Sequence, residues 1–210
     1  MASPPDPGLD YQNPAAAYAF DQSYRGYPPN WDIGRPQRPF VYLEEAGRIG
    51  PRVIEVGCGT GELTMFLARQ GHEVLGVDVA PTAIAQAREK ARWRRVRAQF
   101  LVWDSLRLDE LGVRADTVVD SAMLHCLGRH EQRVATDAIR RTLRPGGWYY
   151  LLCDARGDRV PATWASLSRA DIRDLFRPER GWELAFVYQT VFERRESRNP
   201  AFLVGARRVR

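Results

Sequence analysis

The chain has 210 residues, 44% of them hydrophobic and 10% aromatic, and 31 Lys and Arg against 26 Asp and Glu leave a net charge of +5. That length closes one sizeable core but not two, and the aromatic content excludes a wholly disordered chain. The longest apolar stretches, such as residues 148–153, fall far short of the ~20 residues of a membrane span. The N-terminus has no basic or apolar block of a secretory signal, so a cytoplasmic protein without a membrane partner is expected. Cys58, Cys126 and Cys153 are widely spaced, with no Cys-x-x-Cys pair and no nearby His at finger spacing. They read as small buried residues, not as a disulfide or zinc framework. Basicity alone would admit nucleic acid. Yet every basic residue except Lys90 is an arginine, and the arginines are spread along the chain. Their densest group, Arg92, Arg94, Arg95 and Arg97, falls where a helix ends, and cations complement the helix dipole there. A phosphate-binding role for that group stands as the alternative, but no nucleic-acid partner is expected.

In chain order, the proline-rich start leads into a short aromatic helix over residues 14–24, and a second helix covers 40–47. Apolar strand runs then alternate with amphipathic stretches. Strands are expected at 53–57, 73–78, 98–103, 117–121 and 148–154. Helices are expected at 63–70, stopped by Gly71, at 81–93, opened by Pro81, and at 131–143, ended by Arg144-Pro145-Gly146-Gly147. Ser168 and Asp171 form an N-cap pair opening a helix to Phe176. Two long strands, 182–194 and 200–209, close the chain with no helix between them. The pattern predicts an α/β fold, a mostly parallel sheet with helices on both faces and an antiparallel strand inserted late. Residues 1–39 read as a flexible segment and aromatic lid, and 40–210 as the main domain.

Glu55-Val56-Gly57-Cys58-Gly59-Thr60-Gly61 leaves a strand and enters a helix, where closely spaced glycines let the backbone approach a ligand. In the dinucleotide fingerprint the third glycine would stand at position 62, which is Glu62 here. An acid in the first helical turn suits a pyrophosphate poorly. A cationic ligand without phosphate accounts for the acids better: S-adenosylmethionine carries a sulfonium, an ammonium, a carboxylate, a ribose and an adenine. Asp78, ending the second strand with Val79 after it, is placed for the ribose hydroxyls. Asp104, with Ser105 following, is placed for the adenine amino group. Glu55 lies beneath the glycines, to orient the turn or to reach the amino-acid end of the ligand through water. Alone, Asp78 or Asp104 could equally be a cap.

Taken in order, Glu55 to Gly61, Asp78, Asp104, Asp120-Ser121 and Pro145-Gly146-Gly147 resemble the motifs of class I S-adenosylmethionine-dependent methyltransferases. That resemblance implies a Rossmann-like seven-stranded sheet with its last strand antiparallel, S-adenosylmethionine as cofactor and S-adenosylhomocysteine as product. It implies Trp31, Glu55, Gly57, Cys58, Gly59, Gly61, Asp78, Val79, Asp104, Ser105 and Ser121 as cofactor contacts. The segment from Tyr24 to Pro36, with Pro28-Pro29-Asn30-Trp31-Asp32-Ile33-Gly34-Arg35-Pro36, is similar to the lead segment of thiopurine, thiol and halide methyltransferases. It is more similar to that of actinobacterial heterocyclic toxin methyltransferases, in which it folds over the cofactor. The expected acceptor is a small aromatic or heterocyclic molecule, a quinolone-like one among the candidates, methylated at O, N or S.

Tyr18, Phe20, Tyr24, Tyr27 and Trp31 are expected to roof the acceptor pocket, with Met123, Leu124 and His125 where the methyl should point. His125 is the candidate general base and Asp32 the second choice, while His72 and His130 read as surface residues. Asp154 has no Asn after it, so no metal is expected. The segment after strand four lacks the Pro-Pro-aromatic pattern of nucleic-acid amino methyltransferases. A nicotinamide-dependent oxidoreductase and a non-catalytic cofactor-binding module remain as alternatives, and an RNA methyltransferase rests on basicity alone. Monomer and homodimer are both left open.

Overall fold

The computed structural model describes residues 11–157 and 166–209. Its strands are β1 (Arg52–Val56), β2 (Glu73–Asp78), β3 (Gln99–Val102), β4 (Ala115–Ser121), β5 (Leu143–Asp154), β6 (Trp182–Glu193) and β7 (Arg198–Arg208). They form one sheet in the order β3-β2-β1-β4-β5-β7-β6. β1 to β5 run parallel, and β7 is antiparallel to both β5 and β6. The expected Rossmann-like sheet with a late antiparallel insertion is therefore present. The helices are α1 (Pro14–Ser23), α2 (Arg38–Glu45), α3 (Glu62–Arg69), α4 (Pro81–Trp93), α5 (Arg129–Thr142) and α6 (Arg169–Leu175). No helix among the described residues is long and apolar enough to cross a membrane.

The central strands read as continuous apolar runs because both faces are covered. Along β4 and β5, Val118, Tyr149 and Leu151 join one core with Ala135, Ala138 and Ile139 of α5 and Ile172 and Leu175 of α6. Their neighbours Val119, Tyr150 and Leu152 join the opposite core with Phe40 and Leu43 of α2 and Leu63 and Leu67 of α3. Each fully buried Val, Leu, Ile or Phe among them contributes roughly 1.5–3 kcal/mol. α4 buries Ile84, Ala87 and Ala91 against Phe100 near the β3 edge. Ser168 caps α6 as read: its Oγ accepts from Asp171 N at 3.1 Å, and the Asp171 carboxylate accepts from Ser168 N at 2.9 Å.

The glycine-rich stop before β5 is a correction. It does not precede the strand but lies within it, since Leu143 pairs with Ala115 and Trp148 with Thr117. The residues between them bulge, with Gly146 at φ +80°. A Cβ on Gly147 would lie 2.9 Å from Arg144 O and 3.0 Å from Asp116 O. The parallel strands all end at one edge, and β1 and β4 leave it in opposite directions, the kind of crevice in which α/β proteins bind ligands.

Candidate active site

At that edge β1 turns through Gly57, Gly59 and Gly61, all at positive φ. The turn is fastened to β2: Cys58 N donates to Val77 O (3.0 Å) and Gly59 N to Asp78 Oδ2 (2.8 Å). Ala80 N donates to Asp78 Oδ1 at 2.9 Å. Burial pushes the Asp78 carboxyl up from its ordinary value while the Ala80 and Gly59 amides pull it down. One strand further, Asp104 Oδ1 accepts from Leu106 N (2.9 Å) at the start of a 3-10 turn, and Oδ2 accepts from Gln12 N (3.0 Å). Asp78 and Asp104 are buried acceptors side by side along the edge. Carboxylate oxygens have room for a second donor, so this pair suits a ribose diol and an adenine amino group. Glu55 lies within β1 itself. It is buried under the turn, takes the Thr64 hydroxyl of α3, and is lifted by burial to about 8, hence protonated at neutral pH. Its bond to Thr64 fits the expected role of orienting the turn.

The lead segment lies over this bed. Asp21, which sequence reading missed, accepts from Thr82 N at 2.7 Å and pairs with Arg25 at 2.9 Å. It supplies the first turn of α4 with an acceptor that Ala80, its N-cap, lacks. Buried Tyr24 accepts from Trp31 Nε1 (3.1 Å), and its hydroxyl stands 2.9 Å from where a Gly59 Cβ would be. Trp31 packs on Ala80 and Ala83. Tyr24 and Trp31 thus roof the turn, whereas Tyr18 (57% exposed) and Tyr27 (89% exposed) do not.

Asp32 is also corrected. Its Oδ2 takes the Thr60 hydroxyl at 2.6 Å with Lys90 Nζ 3.7 Å away, and its Oδ1 takes Gly34 N at 3.1 Å. Lys90 donates to Thr60 Oγ1 (2.6 Å) and pairs with Glu62 (2.9 Å), which also binds Arg94 at 2.6 Å. Asp32 is therefore a fastening of the lead segment to the glycine turn, not a free base. Burial would raise Glu62, but Arg94 and Lys90 hold its carboxyl low. With its charge matched, Glu62 carries no electrostatic case against a pyrophosphate, and that part of the sequence argument lapses.

Beyond β4, Asp120 organises the next turn. Its carboxylate accepts from Met123 N (2.7 Å), Leu124 N (3.1 Å) and Tyr149 OH (2.7 Å). Ala122 is held at φ +79°. Met123 packs so closely on Gly57 that a Cβ there would lie 2.5 Å from the Met123 Cβ, and Ser105 Oγ reaches its sulfur at 3.4 Å. Ser121 is half-buried beside them. His125 is buried, and its Nδ1 accepts from Asp154 N at 2.9 Å. A backbone N–H can only donate, so the neutral ring carries its hydrogen on Nε2. Burial pulls this imidazole down to about 4. It is a neutral donor at pH 7, which corrects the expectation of a general base. His130 is exposed, but His72 is not free, being held by Gly50 O (2.9 Å) and Glu44 (2.8 Å).

A crossover sheet with a glycine turn and two acids at successive strand ends defines a nucleoside-cofactor enzyme, and the chain belongs to the S-adenosylmethionine-dependent methyltransferases. A family described as methyltransferase domain matches residues 53–147. A solved structure concerned with conversion of a disulfide bond into a thioacetal group during echinomycin biosynthesis is 32% identical, covers 92% of each chain and superposes with a TM-score of 0.83. The 2-heptyl-1-hydroxyquinolin-4(1H)-one methyltransferase of Mycobacteroides abscessus is 33% identical over 141 residues, 63% of this chain and 62% of that protein. The match thus spans about three fifths of that relative. The fold is shared with Burkholderia thailandensis 1,6-didemethyltoxoflavin-N1-methyltransferase, crystallised with 1,6-didemethyltoxoflavin and S-adenosylhomocysteine (TM-score 0.74, 19% identity, 93% and 88% of the two chains).

Proposed function

We propose that the protein methylates O, N or S of a small aromatic or heterocyclic acceptor. One observation carries this reading: the chain's own lead segment closes over the cofactor bed, with Tyr24 and Trp31 on the glycine turn and Asp32 fastened to Thr60. A roof made of the chain's own residues favours a small planar acceptor over a duplex or a folded macromolecule. The hydroxyquinolone named for the Mycobacteroides abscessus relative and the toxoflavin precursor bound in the Burkholderia thailandensis structure support that class, a quinolone-like acceptor among them.

S-adenosylmethionine, when bound, supplies a methyl group on a sulfonium. The residues of this chain position and desolvate: Asp78 takes the ribose hydroxyls, Asp104 the adenine amino group, and Trp31 and Tyr24 exclude water. Holding acceptor and methyl in line supplies on the order of 7–11 kcal/mol. His125 orients the acceptor through Nε2–H and takes no proton. The acceptor proton then leaves to solvent, before attack for a thiol or acidic hydroxyl and after it for a neutral amine, so acceptors of low pKa are favoured.

Two measurements test this, beside a mass-spectrometric screen of hydroxyquinolones, phenols and thiols for the gain of one methyl. Asp78→Ala is expected to weaken S-adenosylhomocysteine binding by about 1–3 kcal/mol through lost charge-assisted bonds; unchanged affinity by calorimetry contradicts the assignment. For an acceptor that does not titrate, turnover is expected to stay level from about pH 5.5 to 8, because His125 is already neutral there. A limb near 6.5, the ordinary histidine value, that disappears in His125→Gln would return it to the role of base; one that persists belongs to Asp120, lifted by burial to about 7.

A further inference from the structure

The carboxyl ends of β4 and β5 hold a second polar group that the cofactor bed does not use. Asp154, the last residue of β5, is 9% exposed. Its Oδ2 accepts from Arg194 Nη2 at 2.6 Å and from Asn199 Nδ2 at 3.4 Å, and its backbone N–H fixes the His125 ring. The Arg194 guanidinium lies 5.0 Å from the centroid of the Phe192 ring, and His125 meets the same ring edge-on at 6.5 Å between centroids.

A guanidinium and a carboxylate facing each other are frequently joined by two parallel bonds. This pair makes one. Asp154 Oδ1 and Arg194 Nε are both buried, and neither has a hydrogen-bond partner among the described residues. Unmet buried donors and acceptors cost stability and call for an explanation. Flanking their one shared bond, beside an aromatic ring, they offer an acceptor and a donor where hydrogen bonds are strong. The group adjoins the cofactor bed, because Met123, two residues before His125, rests directly on Gly57.

We propose that Asp154 and Arg194 are the acceptor-recognition pair, reading a heteroarene edge on which an N–H or O–H stands beside a carbonyl. The hydrogen of that edge goes to Asp154 Oδ1, and its carbonyl oxygen accepts from Arg194 Nε, with His125 Nε2–H as a further donor. Lactams and ortho-hydroxy ketones of fused ring systems are the substrate class this selects. The proposal rests on the small-acceptor reading above and narrows it.

The test compares 4-hydroxy-2-quinolone, whose lactam N–H adjoins its carbonyl, with 4-hydroxycoumarin, in which a ring oxygen replaces that N–H at the same shape. Wild-type kcat/KM is expected to favour the quinolone by about tenfold or more, mainly through KM. In Asp154→Asn the amide keeps its oxygen on Arg194 and turns its NH2 toward the ligand, so the preference collapses or inverts. Arg194→Lys, which lacks Nε, raises KM for both compounds alike. Calorimetry with S-adenosylhomocysteine is expected to give wild-type affinity for both variants, which a merely structural pair would not combine with altered selectivity. The same quinolone preference in wild type and Asp154→Asn overturns the proposal. Should Asp154→Asn not fold, unchanged KM values in Arg194→Lys overturn it equally. A wild-type protein that methylates both compounds without preference defeats this proposal and leaves the small-acceptor reading standing. One that binds S-adenosylhomocysteine but methylates no small acceptor in the screen defeats both.

Discussion

Gly61→Ala is expected to destabilise the protein by about 2–5 kcal/mol and to abolish most cofactor binding with it. Gly61 is the N-cap of α3 at φ +83° and ψ +21°, a conformation costing an L side chain roughly 1–2 kcal/mol. An added Cβ would also lie 2.6 and 2.7 Å from two Phe100 ring atoms and 3.1 Å from Ala87 Cβ. Overpacking of this kind costs roughly 1–3 kcal/mol more. Gly71→Ala separates the two effects, because Gly71 has φ +97° but nothing within 4 Å of a built Cβ. Urea denaturation of both variants checks the argument: equal losses would mean that Phe100 and Ala87 do not confine the end of the glycine turn.

The second large effect is one of pH. Burial lifts Glu55 from 4.5 to about 8. Between those values the folded protein holds a proton that the unfolded chain has released, so stability falls as pH rises through that window. The slope is at most ~1.4 kcal/mol per pH unit for one group, and the whole fall amounts to a few kcal/mol. Glu55→Gln removes the titration while keeping an acceptor for Thr64. The stability of Glu55→Gln relative to wild type is therefore expected to grow from about pH 4.5 to 8 and to level off above. Asp120, lifted by burial to about 7, adds a slope of the same sign, and His125, lowered by burial to about 4, adds one of opposite sign between about 4 and 6.5. Both remain in the variant and cancel in the difference, apart from the repulsion between Glu55 and Asp120. Parallel stability–pH curves for the two proteins would place the Glu55 carboxyl near its ordinary value.

Much of the fold was legible because punctuation and periodicity agree. Pro81 opens α4, Gly71 follows the end of α3, and Ser168 with Asp171 caps α6. The long 182–194 and 200–209 runs had no helix between them and pair as β6 and β7. Pro145-Gly146-Gly147 misled because the same residues that break a helix also bulge a strand, and the register to β4 decides between the two. In the site, the glycine turn with Asp78 and Asp104 was readable from position at strand ends. What escaped was chemistry set by partners distant in sequence. Asp21 serves Thr82, Asp32 is held by Thr60, and Glu62 is neutralised by Lys90 and Arg94. His125 reads as a base by residue type; only the Asp154 amide on its Nδ1 makes it a donor. Asp154 and Arg194 are ordinary residues in the sequence, brought together by the β5–β7–β6 pairing.

Lys90 is the chain's one lysine among 31 basic residues, and it sits in the fastening between Thr60 and Glu62. Acylating reagents, which spare guanidinium groups, therefore meet a single side-chain amine on this protein, one that is 29% exposed and engaged by Thr60, Glu62 and Asp32. The rate at which Lys90 itself is acylated, followed on its peptide so that the terminal amine is not counted, becomes a clock for its release from these partners, with no reporter group installed.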